Sequence, residues 1–235
     1  MKGVFVYYGD GADAVKQTNC DTVVRTMAVA PVPGVTNIVS GGFTVNKVDV
    51  LPDLTKAVAD LATVAGQGAK GIILGQEIGA NNLDCVHWFV LLGREAKRLG
   101  MEPIVIVSND LCASNARTAG CSIMAEVLDC REVPFGAFLS TKDAVAQAMK
   151  WLGGTKGAMD ALLVYPVYVK CPDWANEYQA GTPTPFQFAQ TLAAVKATKM
   201  SVVFWQWGAA VNLNDPSDAI AAHMGPANGE QVKNF

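Results

Sequence analysis

Residues 71–110 constrain the fold more than any other stretch of this sequence. They read GIILGQE, then a segment of helical periodicity closing on REAKRLG, then MEPIVIVSND. Two apolar runs, each ending in a carboxylate, flank one amphipathic segment. Parallel strands need a crossover of this kind, so the stretch predicts a strand, a helix and a parallel strand. Pro103–Val107 is almost continuously apolar, as expected of a parallel strand covered on both faces.

The same alternation extends in both directions. Val4–Tyr8 is rich in β-branched and aromatic residues and stops at Gly9-Asp10-Gly11, a strand followed by a turn. A short helix is expected over 12–20, and TVVRTMAVA after Asp21 is a second strand ended by Pro31 and Pro33. Residues 34–50 alternate and carry Gly41-Gly42, which predicts an inserted β-hairpin with that pair at its tip. Pro52 suits a first helical position, and Leu54, Val58, Leu61 and Val64 recur at helical spacing until Gly66. Asn81 or Asn82 would cap the helix that ends at Gly100. A short helix over 113–119 precedes apolar runs at 122–128 and 135–140, and Ser140–Asp143 opens a further helix to Gly153. ALLVYPVYV (161–169), a helix from Thr184-Pro185, SVVFWQWG (201–208) and a helix capped by residues 215–218 complete the chain.

Strands are thus predicted near residues 4, 23, 71, 103, 122, 135, 161 and 201. Repeated strand–helix alternation leaves two architectures, a closed (β/α)8 TIM-like barrel or a doubly wound open parallel sheet. The first βα turn, YYGDGADA, lacks the G-x-G-x-x-G spacing, and no G-x-x-x-x-G-K-[ST] occurs, so the nucleotide motifs of open sheets are missing. The barrel is the preferred reading, with residues 1–235 as one domain, a length at which α/β barrels are common.

Composition narrows the function classes. Half of the residues are hydrophobic (51%) and only 17% are charged, which favours a thick core. A net charge of -3 argues against a nucleic-acid binder, which carries a basic face. No segment approaches the length of a transmembrane helix, and MKGVFVYYGD is too short in its apolar run for a secretory signal; synthesis in the cytoplasm is expected. The six cysteines form no CxxC pair and read as buried free thiols. His87 and His223 both fall in predicted helices, the outer ring of a barrel, so neither a metal site nor a Ser-His-Asp triad is expected, and no cofactor is implied.

Active sites of such barrels lie where strands end and βα loops begin. The residues there are Asp10, Glu77, Asn109, Asp110, Glu126 or Asp129, Tyr165, Tyr168 and the Trp205-Gln206-Trp207 run. Carboxylates beside indoles and phenols suit sugar chemistry: aromatic faces stack on pyranose rings, while two carboxyls supply an acid and a base or nucleophile. Glu77 closes an apolar strand and is the leading candidate for the general acid, with Asp110 as partner carboxylate. Trp205 and Trp207 share one side of their strand and would form a stacking platform. Asp10, Asn109, Tyr165 and Tyr168 would contribute to substrate binding. The competing roles are structural: a turn residue for Asp10, a helix cap for Asn109-Asp110, a helix cap or ion-pair partner for Glu77, and core packing for the tryptophans.

On GIILGQE (71–77), REAKRLGMEPIVIVSND (94–110), ALLVYPVY (161–168) and SVVFWQWG (201–208), the chain resembles the (β/α)8 glycoside hydrolases. The resemblance covers most of the chain as an architectural pattern and identifies no specific family. It implies a barrel that binds a carbohydrate and hydrolyses it with strand-end carboxylates. Those families carry Asn-Glu after strand four and a second Glu at strand seven, where this chain has Asn109-Asp110 and tyrosines. A second hypothesis is a non-catalytic structural or attachment protein of a larger assembly such as a virion, with residues 34–50 as its contact with protein partners. Its motive is the low charge and the apolar character of that segment.

Overall fold

The computed structural model describes residues 1–7, 9–46, 50–76, 83–127, 141–154, 156–164, 185–207 and 226–235. Eight strands follow one another around a closed barrel: β1 (Lys2–Val6), β2 (Thr22–Thr26), β3 (Thr36–Val45), β4 (Gly71–Gly75), β5 (Glu102–Val107), β6 (Ser122–Val127), β7 (Ala161–Val164) and β8 (Ser201–Trp207). Each pairs in parallel with its neighbours, and β8 returns to β1 through Gly3↔Val203 and Val4↔Phe204. That closure excludes the open sheet. Described helices are α1 (Gly11–Thr18), α2 (Leu54–Gly66), α3 (Leu83–Arg98), α4 (Asp110–Thr118), α5 (Thr141–Leu152), α6 (Pro185–Ala197) and α7 (Pro226–Asn234).

Strand alternation divides the core into layers. Phe5, Val24, Ile38, Ile73, Ile104, Ile106, Met124, Leu163 and Val203 fill the inside of the barrel. Residues of opposite parity, such as Ile72, Val105, Ile123 and Leu162, pack outward under the helices with Leu61, Phe89, Leu92 and Val195. A smaller outer cluster joins Val4, Val6 and Val23 to Ala14 of α1 and to Val29 and Val32 of the β2–β3 connection.

The expected hairpin at 34–50 is corrected. Residues Thr36–Val45 are one barrel strand, paired through Thr22↔Thr36 on one side and Ile38↔Gly71 on the other. Gly41-Gly42 mark a register shift between Ser40 and Val45 rather than a tip. The crossover into β3, residues 27–35, contains turns but no helix. Fully buried Arg25 organises it, donating from Nη1 to the carbonyl oxygens of Thr26 (3.3 Å) and Val29 (2.8 Å) and from Nε to Asn37 Oδ1 (3.2 Å). The Asn37 amide in turn donates to the carbonyls of Val32 and Val35. A glycine pair flanked by alternation has the look of a turn, and only pairing on both edges shows it to be a bulge.

The expected strand near 135 falls in 128–140, outside the described residues. β6 pairs directly with β7, so the eight staves are complete without it. Pro52 precedes α2, whose N-cap is Asp53, accepting from Lys56 N at 2.7 Å. The predicted caps Asn81, Asn82 and 215–218 lie outside the described residues. No described helix is long and apolar enough to cross a membrane.

Candidate functional site

The mouth of the barrel on the β1 and β8 side is built from aromatic rings. Phe5 lies inside the barrel, and Tyr7, two residues on, continues its side of the chain just beyond β1. Trp205 reaches the same space from β8. Ring centroids are 4.5 Å apart for Phe5–Trp205, 5.1 Å for Phe5–Tyr7 and 5.2 Å for Tyr7–Trp205. Phe5 is fully buried, whereas Tyr7 and Trp205 keep part of their surface exposed. The trio thus rises from core to solvent, and its upper members form an aromatic surface at the rim.

Polar groups flank this surface. Gln76, the residue after β4, donates from Nε2 to Tyr7 Oη at 3.2 Å. Thr26 Oγ1 donates to the Tyr7 carbonyl at 3.0 Å, tying the end of β1 to β2. Thr44 Oγ1 donates to Ile73 O at 2.6 Å and accepts from Gly41 N at 3.0 Å, which pins the β3 bulge to β4. Beside Tyr7 opens a cavity of about 510 Å³, with Ser40, Asn46, Lys56, Asp60 and Gln76 on its walls. Its volume falls in the range of small-molecule sites.

Among the described residues, Glu126 is a carboxylate inside the barrel toward this end. It is fully buried on β6. Met124, two residues earlier, lies among the inner side chains, and Ala125 and Val127 lie in the outer layer, so Glu126 faces inward.

The strand-end residues singled out in the sequence divide sharply. Trp205 is inside, at the mouth. Asp10 is the N-cap of α1, accepting from Ala12 N (2.8 Å) and Asp13 N (3.3 Å). Asn109 caps α4, accepting from Cys112 N at 2.8 Å. Asp110 opens α4 and turns its carboxylate to α5, where Lys150 Nζ (3.1 Å) and Trp151 Nε1 (2.9 Å) donate to it. These two donors, Lys150 foremost, hold the Asp110 carboxyl below the usual carboxylate range. Asp110 therefore sits in the ring of helices, not among the inner residues that include Trp205. Glu77, Asp129, Tyr165 and Tyr168 lie outside the described residues, as does the side chain of Trp207.

Tyr7, Gln76, Lys56 and Asp60 were not singled out from sequence. The alternation Phe5/Tyr7 was a readable signal for the first; the α2 pair carried none. His87 is exposed on α3, as its helical position suggested, and His223 is outside the described residues. Burial pushes the Cys20 thiol up to about 11 and that of Cys121 up to about 12, so neither is a poised nucleophile.

No protein-family model and no curated protein matches the chain. Solved structures do, at the level of fold. A GH5_18 protein from Bifidobacterium longum subsp. infantis is 14% identical, with a TM-score of 0.56 over 95% of this chain and 72% of that one. A beta-glucanase from Saccharophagus degradans, solved in complex with cellotetraose, is 10% identical, with a TM-score of 0.55 over 99% and 87%. D-psicose 3-epimerase from Clostridium cellulolyticum H10, solved with D-tagatose, is 13% identical, with a TM-score of 0.52 over 99% and 96%. The chain shares the TIM-barrel fold of these proteins. At such identities the likeness extends to the fold alone.

Proposed function

We propose that the barrel binds a carbohydrate at the mouth formed by the carboxyl ends of its strands and hydrolyses a glycosidic bond there. The observation that carries this reading is the partly exposed Tyr7–Trp205 surface at the rim, next to a polar cavity. An apolar ring face and hydrogen-bonding groups in one cleft match the two kinds of surface a pyranose presents. The barrels of similar fold that act on or hold saccharides support the choice.

For catalysis, Glu77 is the proposed general acid, since it directly follows Gln76 on the cavity wall. Glu126 replaces Asp110 as the proposed partner carboxylate, because Asp110 lies in the ring of helices and Glu126 faces the barrel interior. The pair would divide the work of protonating the leaving oxygen and activating water or attacking the anomeric carbon.

Calorimetric titration with cellotetraose and with D-tagatose tests the binding step. Trp205→Ala should weaken whichever ligand binds by about 2- to 10-fold, the 0.5–1.5 kcal/mol of an aromatic contact. Cleavage of cellotetraose should be lost in Glu77→Gln and Glu126→Gln while binding persists and the circular-dichroism spectrum is unchanged. Binding unaffected by Trp205→Ala would remove the platform, and full cleavage by both glutamine variants would remove the carboxylate assignment.

A further inference from the structure

The cavity beside Tyr7 has a charge balance that specifies its occupant further. Among the described residues on its walls, the charged side chains are one cation and one anion, Lys56 and Asp60 of α2. They are paired with each other at 2.6 Å, one turn apart on the helix. The pair overlies the β3 bulge. A Cβ on Gly42 would collide with Asp60 Oδ2 and stand 2.9 Å from Lys56 Nζ. Glycine at 42 therefore leaves room for an ion pair to rest against bare backbone at the edge of the cavity. Any side chain there would push the pair out of place.

A paired ammonium and carboxylate offer a donor and an acceptor side by side with no net charge. Vicinal hydroxyls present the same two functions, each oxygen able to donate to the carboxylate and accept from the ammonium. Ser40, Asn46 and Gln76 add neutral groups of both kinds. A phosphate would have to compete with Asp60 for Lys56 and would face the Asp60 carboxylate itself. The cavity lies at the ends of β1–β4, whereas phosphate sites in such barrels are frequently formed after strands seven and eight.

We propose that this cavity is a subsite for an uncharged glycosyl unit, with the Lys56–Asp60 pair as its hydroxyl-recognising, specificity-determining element. The inference rests on the reading of the mouth as a carbohydrate site and narrows it to neutral sugars.

Titration calorimetry with D-glucose, cellobiose and their phosphorylated counterpart D-glucose 6-phosphate tests it on the full chain. The wild type should bind a neutral sugar at least ten times more tightly than the 6-phosphate. Asp60→Asn and Lys56→Met should each weaken the neutral sugar about tenfold, the lower end for a hydrogen bond to a charged group. Gly42→Val should do the same by displacing the pair, with the unfolding midpoint recorded to confirm that each variant is folded. Tighter binding of the 6-phosphate, strengthened further by Asp60→Asn, would identify an anion site and overturn the proposal. Neutral-sugar binding that falls in Trp205→Ala but is unchanged in all three cavity variants would overturn the subsite and leave the mouth reading standing. Absence of saccharide binding by the wild type would overturn both.

Discussion

Loss of Asp160, at the opposite, amino-terminal end of the barrel, should destabilise the fold strongly. Its carboxylate accepts four hydrogen bonds: from Arg117 Nη1 at 2.9 Å, Arg117 Nη2 at 2.8 Å, Ile123 N at 2.8 Å and Gly157 N at 2.9 Å. It thereby joins the end of α4, the start of β6 and the turn into β7. The Asp160 side chain is 5% exposed and that of Arg117 19%, so water is a poor substitute for either. Arg117 has other acceptors, the carbonyls of Cys121 and Leu152, but they carry no formal charge, and its buried Nε finds no hydrogen-bond partner among the described residues. Asp160→Ala leaves a guanidinium without its counterion and two amides without acceptors. Breaking a buried pair from one side costs about 3–5 kcal/mol. For a chain of this size that is a fall in Tm of about 6–20 °C, at 2–4 °C per kcal/mol. Urea unfolding followed by circular dichroism measures it directly. Adding Arg117→Met should return part of the loss, with a coupling energy of about 0.5–3 kcal/mol. Saccharide affinity of the folded variant should be unchanged, because the barrel's amino-terminal face serves stability and its carboxyl-terminal face ligands. An Asp160→Ala protein within about 1 kcal/mol of wild type would refute the assignment of this network as the clamp of that end.

Gly75→Ala should destabilise by about 1–3 kcal/mol, because its Cβ would lie 2.5 Å from Cζ of fully buried Phe89, whereas Gly66→Ala, with nothing within 4 Å, should be neutral or stabilising; paired urea midpoints decide it. Burial acts to raise the Asp21 carboxyl, but hydrogen bonds from Lys2 N–H and the Thr22 hydroxyl, with the nearby amino terminus and Lys2 ammonium, bring it below its ordinary value. A depressed carboxylate stabilises above its unfolded pKa of about 3.9 and loses that contribution as pH falls through the folded value. Asp21→Asn should therefore be less stable than wild type at pH 7, with the gap closing below about pH 4; a gap independent of pH would exclude the carboxylate charge as its source.

Much of the barrel was legible from residue order. GIILG and PIVIV announce themselves because a parallel strand covered on both faces can afford almost no polar residue, and the segment between them had to be a crossover. β3 was misread for a physical reason. Gly41-Gly42 obeys the composition rule for a hairpin tip, yet here glycine serves close approach: a Cβ on Gly41 would lie 2.5 Å from Met27 Sδ, and one on Gly42 would strike the Lys56–Asp60 pair. Neither partner is near in sequence.

The strand-end acids show the same limit in the site. In a βα unit the end of a strand leads directly into the first turn of a helix, so the position that faces a ligand and the position that caps a helix adjoin. Asp, Asn and Glu suit both. Asp10 and Asn109 became caps, Asp110 turned to α5, and Glu126 turned inward. Local residue order carried the alternation of strand and helix, because burial periodicity is a short-range property. Closure of β8 on β1 and the meeting of Phe5, Tyr7 and Trp205 depend on contacts between the two ends of the chain, and the turn of Asp110 to α5 on a contact 40 residues away; those only the tertiary structure decides.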